Sequence, residues 1–323
     1  MRPLPNIAKR TATRRRQKGV AIITALLIVT IAATISITIS TRLQLDVRRT
    51  ANLVASDQAW FYLLAAEEWS QRILRDDKKE SSIDDLSEAW AFELPPLPVE
   101  GGTIQGRLTD LQACINVNTL INENGINLVT EKRLQQLFRS LGLNPGLTQA
   151  ITDWIDTDLE TTNPNGAEDG YYLNLQKPYH TANTAMQSIT ELRLVKGFED
   201  PKVYQAVAPY LCAFDTGGNE ISINVNTASA EVLQSLSEKM TENLAKDIIE
   251  RRQDEPFNDI KDFTGFSGLK DIIKDTKQLS TSSDYFLLRT QAVIGQANRV
   301  MYSIIYRDDS GKTSIIARSQ RTL

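Results

Sequence analysis

Histidine occurs once, at His180, and cysteine twice, at Cys114 and Cys212. So few soft ligands, set so far apart, cannot build a zinc site of three or four clustered His and Cys side chains. No nucleophile motif flanks Lys177-Pro178-Tyr179-His180-Thr181, so His180 reads as a surface-loop residue. Paired carboxylates exist, as a glycoside hydrolase needs, but nothing marks a substrate cleft and no enzyme activity is expected. Charge is missing from the 23 residues between Lys18 and Arg42, and acid is missing from everything before Asp46. Glycine and proline are missing from Val20 to Arg75, which leaves nothing in that stretch to break a helix.

What is present at the N-terminus is a basic leader (Arg2, Lys9, Arg10, Arg14, Arg15, Arg16, Lys18), then Gly19, then VAIITALLIVTIAATISITIST. At 1.5 Å per residue the apolar run reaches the ~30 Å of a bilayer's hydrocarbon core. Positive charge on the leader predicts that it stays cytoplasmic and that the chain after Arg42 is translocated. The leader carries seven positive charges, so its removal takes the formal charge from −4 to −11. A body of that sign excludes nucleic acid as a partner and suits a divalent cation. In a translocated domain Cys114 and Cys212 permit a disulfide, with free buried thiols as the alternative.

A cleaved secretory signal is a poor fit, because its apolar region should be roughly 7–15 residues. A plain anchor fits. So does a third reading: Lys18-Gly19 at the membrane edge resembles a type IV prepilin leader, which a prepilin peptidase cuts after the glycine. That resemblance makes Gly19 the last leader residue and Val20 the mature, N-methylated terminus. Members of the pilin class mostly carry Glu at the fifth mature position, where it answers the terminal amine of a neighbouring subunit; here the residue is Thr24. A subunit with an amine and no acid accepts a neighbour on one side only, as a filament tip requires.

Helical spacing of Leu43, Val47, Val54, Phe61 and Leu64 predicts that the membrane helix continues as a stem with an apolar face on a folded domain. The aromatics of Trp60-Phe61-Tyr62 are expected to pack in its core. Residues 76–100 read as a polar connector with a short helix from Ile83 to Phe92, stopped by Leu94-Pro95-Pro96-Leu97-Pro98. A strand is expected from Thr103 to Leu111. Tyr285–Val293, Val300–Arg307 and Thr313–Ala317, separated by turn residues, read as an antiparallel meander. Between them lies a helical block, so the fold expected is α+β: a stem helix and small antiparallel sheet with a large all-helical insertion. The divisions are 1–19 leader, 20–42 membrane helix, 43–113 stem and first strand, 114–281 inserted domain and 282–323 closing strands.

The insertion contains a repeat. Ile115-Asn116-Val117-Asn118-Thr119 returns as Ile223-Asn224-Val225-Asn226-Thr227, Leu147–Ile151 as Leu244–Ile248, and Ser188–Leu192 as Asp259–Phe263. The units resemble helix-hairpin-helix modules. Phosphate binding needs a glycine-rich hairpin at a helix N-terminus, and the second copy has Ser237-Glu238-Lys239-Met240-Thr241-Glu242 there, so the repeat reads as structural. The offset drops from 97 to 71 residues between the second and third pairs, so the first copy holds about 26 extra. That stretch, Asp153 to Tyr172, gathers Asp153, Asp156, Asp158, Glu168 and Asp169 with Gly166, Gly170 and Pro164. Hard cations such as Ca²⁺ take 6–8 oxygen ligands, many from Asp and Glu, although the spacing is not that of an EF-hand. A solvated acidic loop is the alternative.

Basic leader, missing acid at Thr24 and acidic insertion together resemble the K-type minor pseudopilin of the type II secretion system over nearly the whole chain. The resemblance implies calcium, one ion or two, held by Asp153, Asp156, Asp158, Glu168 and Asp169. It further implies a tip position with minor pseudopilins of types I and J, a single inner-membrane span with a periplasmic C-terminal domain, and a part in protein export. A minor pilin of a type IV pilus and a membrane-anchored periplasmic calcium-binding domain are the other readings.

Overall fold

In the computed structural model, residues 18–93 and 95–320 are described; the leader charges from Arg2 to Arg16, and Leu94, lie outside them. Helix α1 runs unbroken from Lys18 to Glu80, as the absence of glycine and proline allows. Contact density separates residues 1–54 from a second unit, 55–323. Within the first, the apolar side chains from Val20 to Val54 are exposed. Thr24, Thr30, Thr34, Ser36, Thr38 and Thr41 each turn their hydroxyl onto a carbonyl three or four residues back. A hydroxyl satisfied in that way adds little cost to burial in lipid.

The second unit is built on a five-stranded antiparallel sheet in chain order: β1 (Leu97–Val99), β2 (Gly102–Asp110), β3 (Tyr285–Ile294), β4 (Ala297–Arg307) and β5 (Thr313–Ser319). Strands β2 and β3 are neighbours in register, Gly102 opposite Ile294 and Asp110 opposite Phe286, although the whole helical insertion lies between them. Gly102 has no alternative residue: a Cβ there would sit 1.8 Å from the Val293 carbonyl oxygen. The last turns of α1 cover the sheet through Ala59, Leu63 and Leu74 against Ala292, Leu288 and Ile305. Glu67, 3% exposed, joins them, accepting from Ser303 Oγ at 2.6 Å and from Arg318 Nε at 2.8 Å.

Two expectations fail here. The stem face packed on the sheet is Ala59–Leu63–Leu74, with Leu64 packed beside it as expected, whereas Leu43, Val47, Val54 and Phe61 are exposed, and of the aromatics only Trp60 and Tyr62 pack. Phe61 lies two residues, about 200°, round the helix from Ala59. The helix expected from Ile83 to Phe92 is absent, apart from a 3₁₀ turn at Ala89–Ala91. Asp84 there is taken by other partners: its carboxylate accepts from the Ser283 N–H at 2.8 Å and from the Arg307 guanidinium. A tertiary ion pair outweighs local helix propensity.

The insertion comprises α2 (Leu128–Ser140), α3 (Leu147–Ile155), α4 (Asp169–Tyr172), α5 (Pro201–Val207), α6 (Ala230–Gln234), α7 (Glu242–Asp254) and α8 (Ile260–Gly265), around a core that includes Leu134, Phe138, Trp154, Phe198 and Ile248. Its repeat is physical. Each copy closes with a two-residue parallel bridge, Ile115–Asn116 on Leu211–Cys212 and Ile223–Asn224 on Leu279–Ser280. Each also uses its second asparagine as a clasp on a distant backbone. Asn118 accepts from Met186 N and donates to Met186 O, both at 2.8 Å; Asn226 does the same to Phe257, both at 2.9 Å. Two residues beyond each clasp, Ser188 and Asp259 cap the next helix. A disulfide joins Cys114 to Cys212 beside the first bridge.

Where insertion meets sheet, buried polar groups satisfy one another. Asp110 accepts from Ser283 Oγ at 2.6 Å, Asn224 Nδ2 at 3.2 Å, the Thr227 hydroxyl and Gln112 N. Burial nevertheless lifts its pKa to about 6 against those bonds.

Candidate metal centre

Helix α3 ends at Ile155, and Asp156 already has an extended backbone (ψ 170°). Asp153 and Asp156 therefore do not share a helix face as a continued helix would have placed them. Asp153 is fully buried, and both its oxygens accept from the Thr162 N–H, at 3.2 and 3.1 Å. Against it lies Gly166, where a Cβ would come within 2.2 Å of Asp153 Oδ2 and 2.4 Å of Thr162 O; only glycine lets the loop close there. Three more contacts staple the turn down: Gln149 to Asn163 O at 3.0 Å, Asn165 N to Gln149 at 2.8 Å, and Lys196 Nζ to Gly166 O at 2.9 Å. Trp154, Tyr172 and Tyr179 stack edgewise behind it. Lys196, Gln149 and Asn183 are participants that the acid pattern did not point to.

The loop brings carboxylate oxygens of Asp156, Asp158 and Glu168 within 4.8 Å of one another. Glu168 is 4% exposed; Thr181 Oγ1 donates to its Oε2 at 3.3 Å, while its Oε1, like Asp156 Oδ1 and Asn183 Oδ1, is buried with no partner. Burial, then the charges of Asp158 and Asp153, push Asp156 up to about 6; burial, then Asp153 and Asp156, push Glu168 up to about 7. Asp169 stands apart. Its carboxylate meets His180 Nδ1 at 2.7 Å, accepts from Thr181 N at 3.0 Å and shares with Glu168 the one proton of Thr181 Oγ1, 3.0 Å away. The His180 bond and the Thr181 N–H hold it below the ordinary aspartate range.

An all-oxygen set with orphaned acceptors and mutually repelling carboxylates matches a hard cation such as Ca²⁺. By contrast Asp77, Asp84 and Glu88, also within 4.8 Å of one another, already have a cation, the buried Arg307 guanidinium, bonded to the first two.

The raised carboxylates set a pH dependence. Asp110, Asp156 and Glu168 keep protons in the folded state to about pH 6–7, whereas the unfolded chain loses them near ~4. The folded state binds more protons between those limits, so its stability falls as pH rises. In chelator, the urea midpoint of the detergent-extracted protein is expected to drop from pH 5 to pH 7; a midpoint that climbs over that window would contradict the assignment.

At the other end of the chain, a Cβ on Gly19 would touch nothing within 4 Å, and Val20 is exposed. The Thr24 hydroxyl donates to Val20 O at 3.1 Å and Ala21 O at 3.0 Å, so its one proton is spent within its own helix.

Comparison with known proteins supplies the context. Two family models described as type II secretion system protein K match residues 113–216 and 223–282, one on each copy of the repeat. The type II secretion system protein K of Aeromonas hydrophila is 33% identical over 324 residues, covering 94% of this chain and 97% of that one. The Pseudomonas aeruginosa protein of the same name is 31% identical, with 94% and 93% covered. Among solved structures, a chain of the GspK-GspI-GspJ complex from the enterotoxigenic Escherichia coli type 2 secretion system superposes with a TM-score of 0.74. It is 26% identical, and 85% of this chain and all of that one are covered. With a membrane-length apolar helix, a stem on a small sheet and a two-copy helical insertion matched from end to end, this chain belongs to the type II secretion system protein K family.

Proposed function

We propose that this chain, a minor pseudopilin of the type II secretion pseudopilus anchored in the inner membrane, forms the filament tip with I- and J-type minor pseudopilins and serves protein export without enzymatic activity. In this reading prepilin peptidase cuts between Gly19 and Val20, the new terminus lies on the cytoplasmic side and the folded unit is periplasmic. The observation that carries the tip assignment is Thr24. Where a carboxylate would answer a neighbour's amine, this hydroxyl donates to Val20 O and Ala21 O of its own helix. A charged acid within lipid is costly and is kept where it has a partner; without one, no subunit is held above. The similarity to a chain crystallised with GspI and GspJ supports the choice of partners. Co-expression with I- and J-type pseudopilins should give a complex that survives detergent extraction, and labelled copies should appear at one end of each filament. Labels spaced along the filament would refute the tip position.

We further propose that Asp156, Asp158 and Glu168 hold calcium, one ion or two, with Asp153 fixing the loop behind them and Asp169 tying the loop to Thr181. The ion supplies the positive charge that offsets the carboxylates' repulsion; the chain supplies the stapled turn that keeps them together. Ligand linkage predicts stabilisation of about 2.7 kcal/mol at a hundredfold excess over Kd, seen as a higher melting midpoint with millimolar calcium than with chelator. An unchanged midpoint would remove the site.

A further inference from the structure

We propose that the outer face of the sheet, where it meets the insertion, binds an extended acidic segment of a partner protein, with carboxylates on Arg107 and Arg289 and an apolar side chain in the adjoining cleft. Register puts Arg107 on β2 directly opposite Arg289 on β3, and Arg289 opposite Tyr302 on β4. Their neighbours in the chain, Leu108 and Leu288, are buried with Leu74 of α1, so strand alternation turns this row away from the stem. Both arginines are exposed. In the next row Gln105 Nε2 donates to Gln291 Oε1 at 3.0 Å, and Gln291 Nε2 to Asn298 Oδ1 at 2.9 Å.

Like charges directly opposite one another on paired strands destabilise a sheet. In a chain with 40 acidic residues against 36 basic ones, neutralising acids are not scarce. Arg107 nevertheless has only Glu93, 3.9 Å away with both side chains more than half exposed, and Arg289 has no ion-pair partner among the described residues. A local rule broken without compensation inside the chain is the mark of a functional surface. One row towards the insertion, Thr109, Leu287 and Ile304 line a mostly apolar cleft of about 280 Å³ whose opposite wall includes Ile189 and Pro209. Asp110, which also lines it, already accepts from Ser283, Asn224, Thr227 and Gln112. Two cations beside an apolar recess select a segment in which a bulky apolar side chain is flanked by Asp or Glu. The guanidinium forks take the carboxylates and the recess takes the anchor. A phosphate would engage the arginines and leave the recess empty. The inference stands apart from the calcium and tip readings.

Fluorescence anisotropy of a labelled peptide of Glu-Leu-Glu repeats, titrated with the full detergent-extracted chain, tests this; a Lys-Leu-Lys peptide is the control. The parent should bind the acidic peptide and not the basic one, and added salt should weaken the complex. The double variant Arg107→Gln with Arg289→Gln should lose roughly fivefold or more in affinity, the scale of two surface charge pairs. Because that variant removes a like-charge pair, its melting midpoint should stay level or rise, which separates lost binding from lost fold. No binding by the parent, or equal affinity in parent and variant, overturns the proposal. A lower midpoint in the variant makes the arginines structural and overturns it as well. So does displacement of the peptide by pyrophosphate as effectively as by unlabelled peptide, which would make the row a general anion site.

Discussion

Arg307→Ala is expected to cost about 3–5 kcal/mol, the effect of stripping one partner from a buried ion pair, out of a total stability of about 5–15 kcal/mol. Arg307 is 1% exposed and is the hub of the junction. It donates to Leu74 O at 3.1 Å and Asp77 at 2.8 Å on the stem, to Asp84 on the connector and to Ser283 O at 2.9 Å on the segment returning from the insertion. Its guanidinium also lies 4.9 Å from the centre of the Phe286 ring. Alanine would leave Asp77 and Asp84 buried without a cation. Burial and the neighbouring Glu88 already hold Asp77 up at about 7, so Asp77 would take up a proton or the junction would open. Urea unfolding followed by tryptophan fluorescence should show a much lower midpoint at pH 7, partly restored at pH 5. A midpoint within error of the parent's would mean that the hub carries no net weight.

Removing the disulfide, by Cys114→Ala with Cys212→Ala, is expected to cost a similar amount. The cysteines are 98 residues apart, and a closed loop of that size stabilises by about 4–5 kcal/mol in the chain-entropy model. The internal duplication makes the prediction specific. The first copy is closed by its parallel bridge, its Asn118 clasp and the disulfide. The second is closed by the Ile223–Leu279 bridge and the Asn226 clasp alone. Hydrogen exchange in the double variant should therefore rise across residues 113–216 and leave 223–282 near parent protection. Equal loss in both copies, or none in the first, would contradict the assignment of that loop closure to the sulfur bridge.

Both effects act at places that the amino-acid order describes unequally. Helix α1, the turn-separated strands β3, β4 and β5 and the return of Ile-Asn-Val-Asn-Thr were all legible, because each rests on contacts or periodicities within a few residues. The acidic insertion was legible as an interruption of the repeat, and its carboxylates as an oxygen-rich set. Its internal sorting was not. Asp156, Asp158 and Glu168 converge, but Asp169 turns to His180 and Thr181, and Asp153 to the Thr162 N–H. A carboxylate's partner depends on which backbone donor the loop brings near, and a list of acids does not contain that information.

A membrane-length helix, its basic flank, the lack of an acid at Thr24, an antiparallel meander and a duplicated helical insertion can all be read from the amino-acid order. All but the duplication follow from hydropathy, helical and strand periods and turn chemistry, which are short-range in the chain; the duplication follows from a motif that recurs. Long-range packing alone settles that Arg307 reaches Asp84 across 223 residues, that Ile83–Phe92 gives up a helix for that contact, that the stem packs through Ala59 and Leu63 and leaves Phe61 exposed, and that the Asn183 amide oxygen is buried without a partner. Each is a choice among chemically equivalent partners, made by which segments close packing brings together.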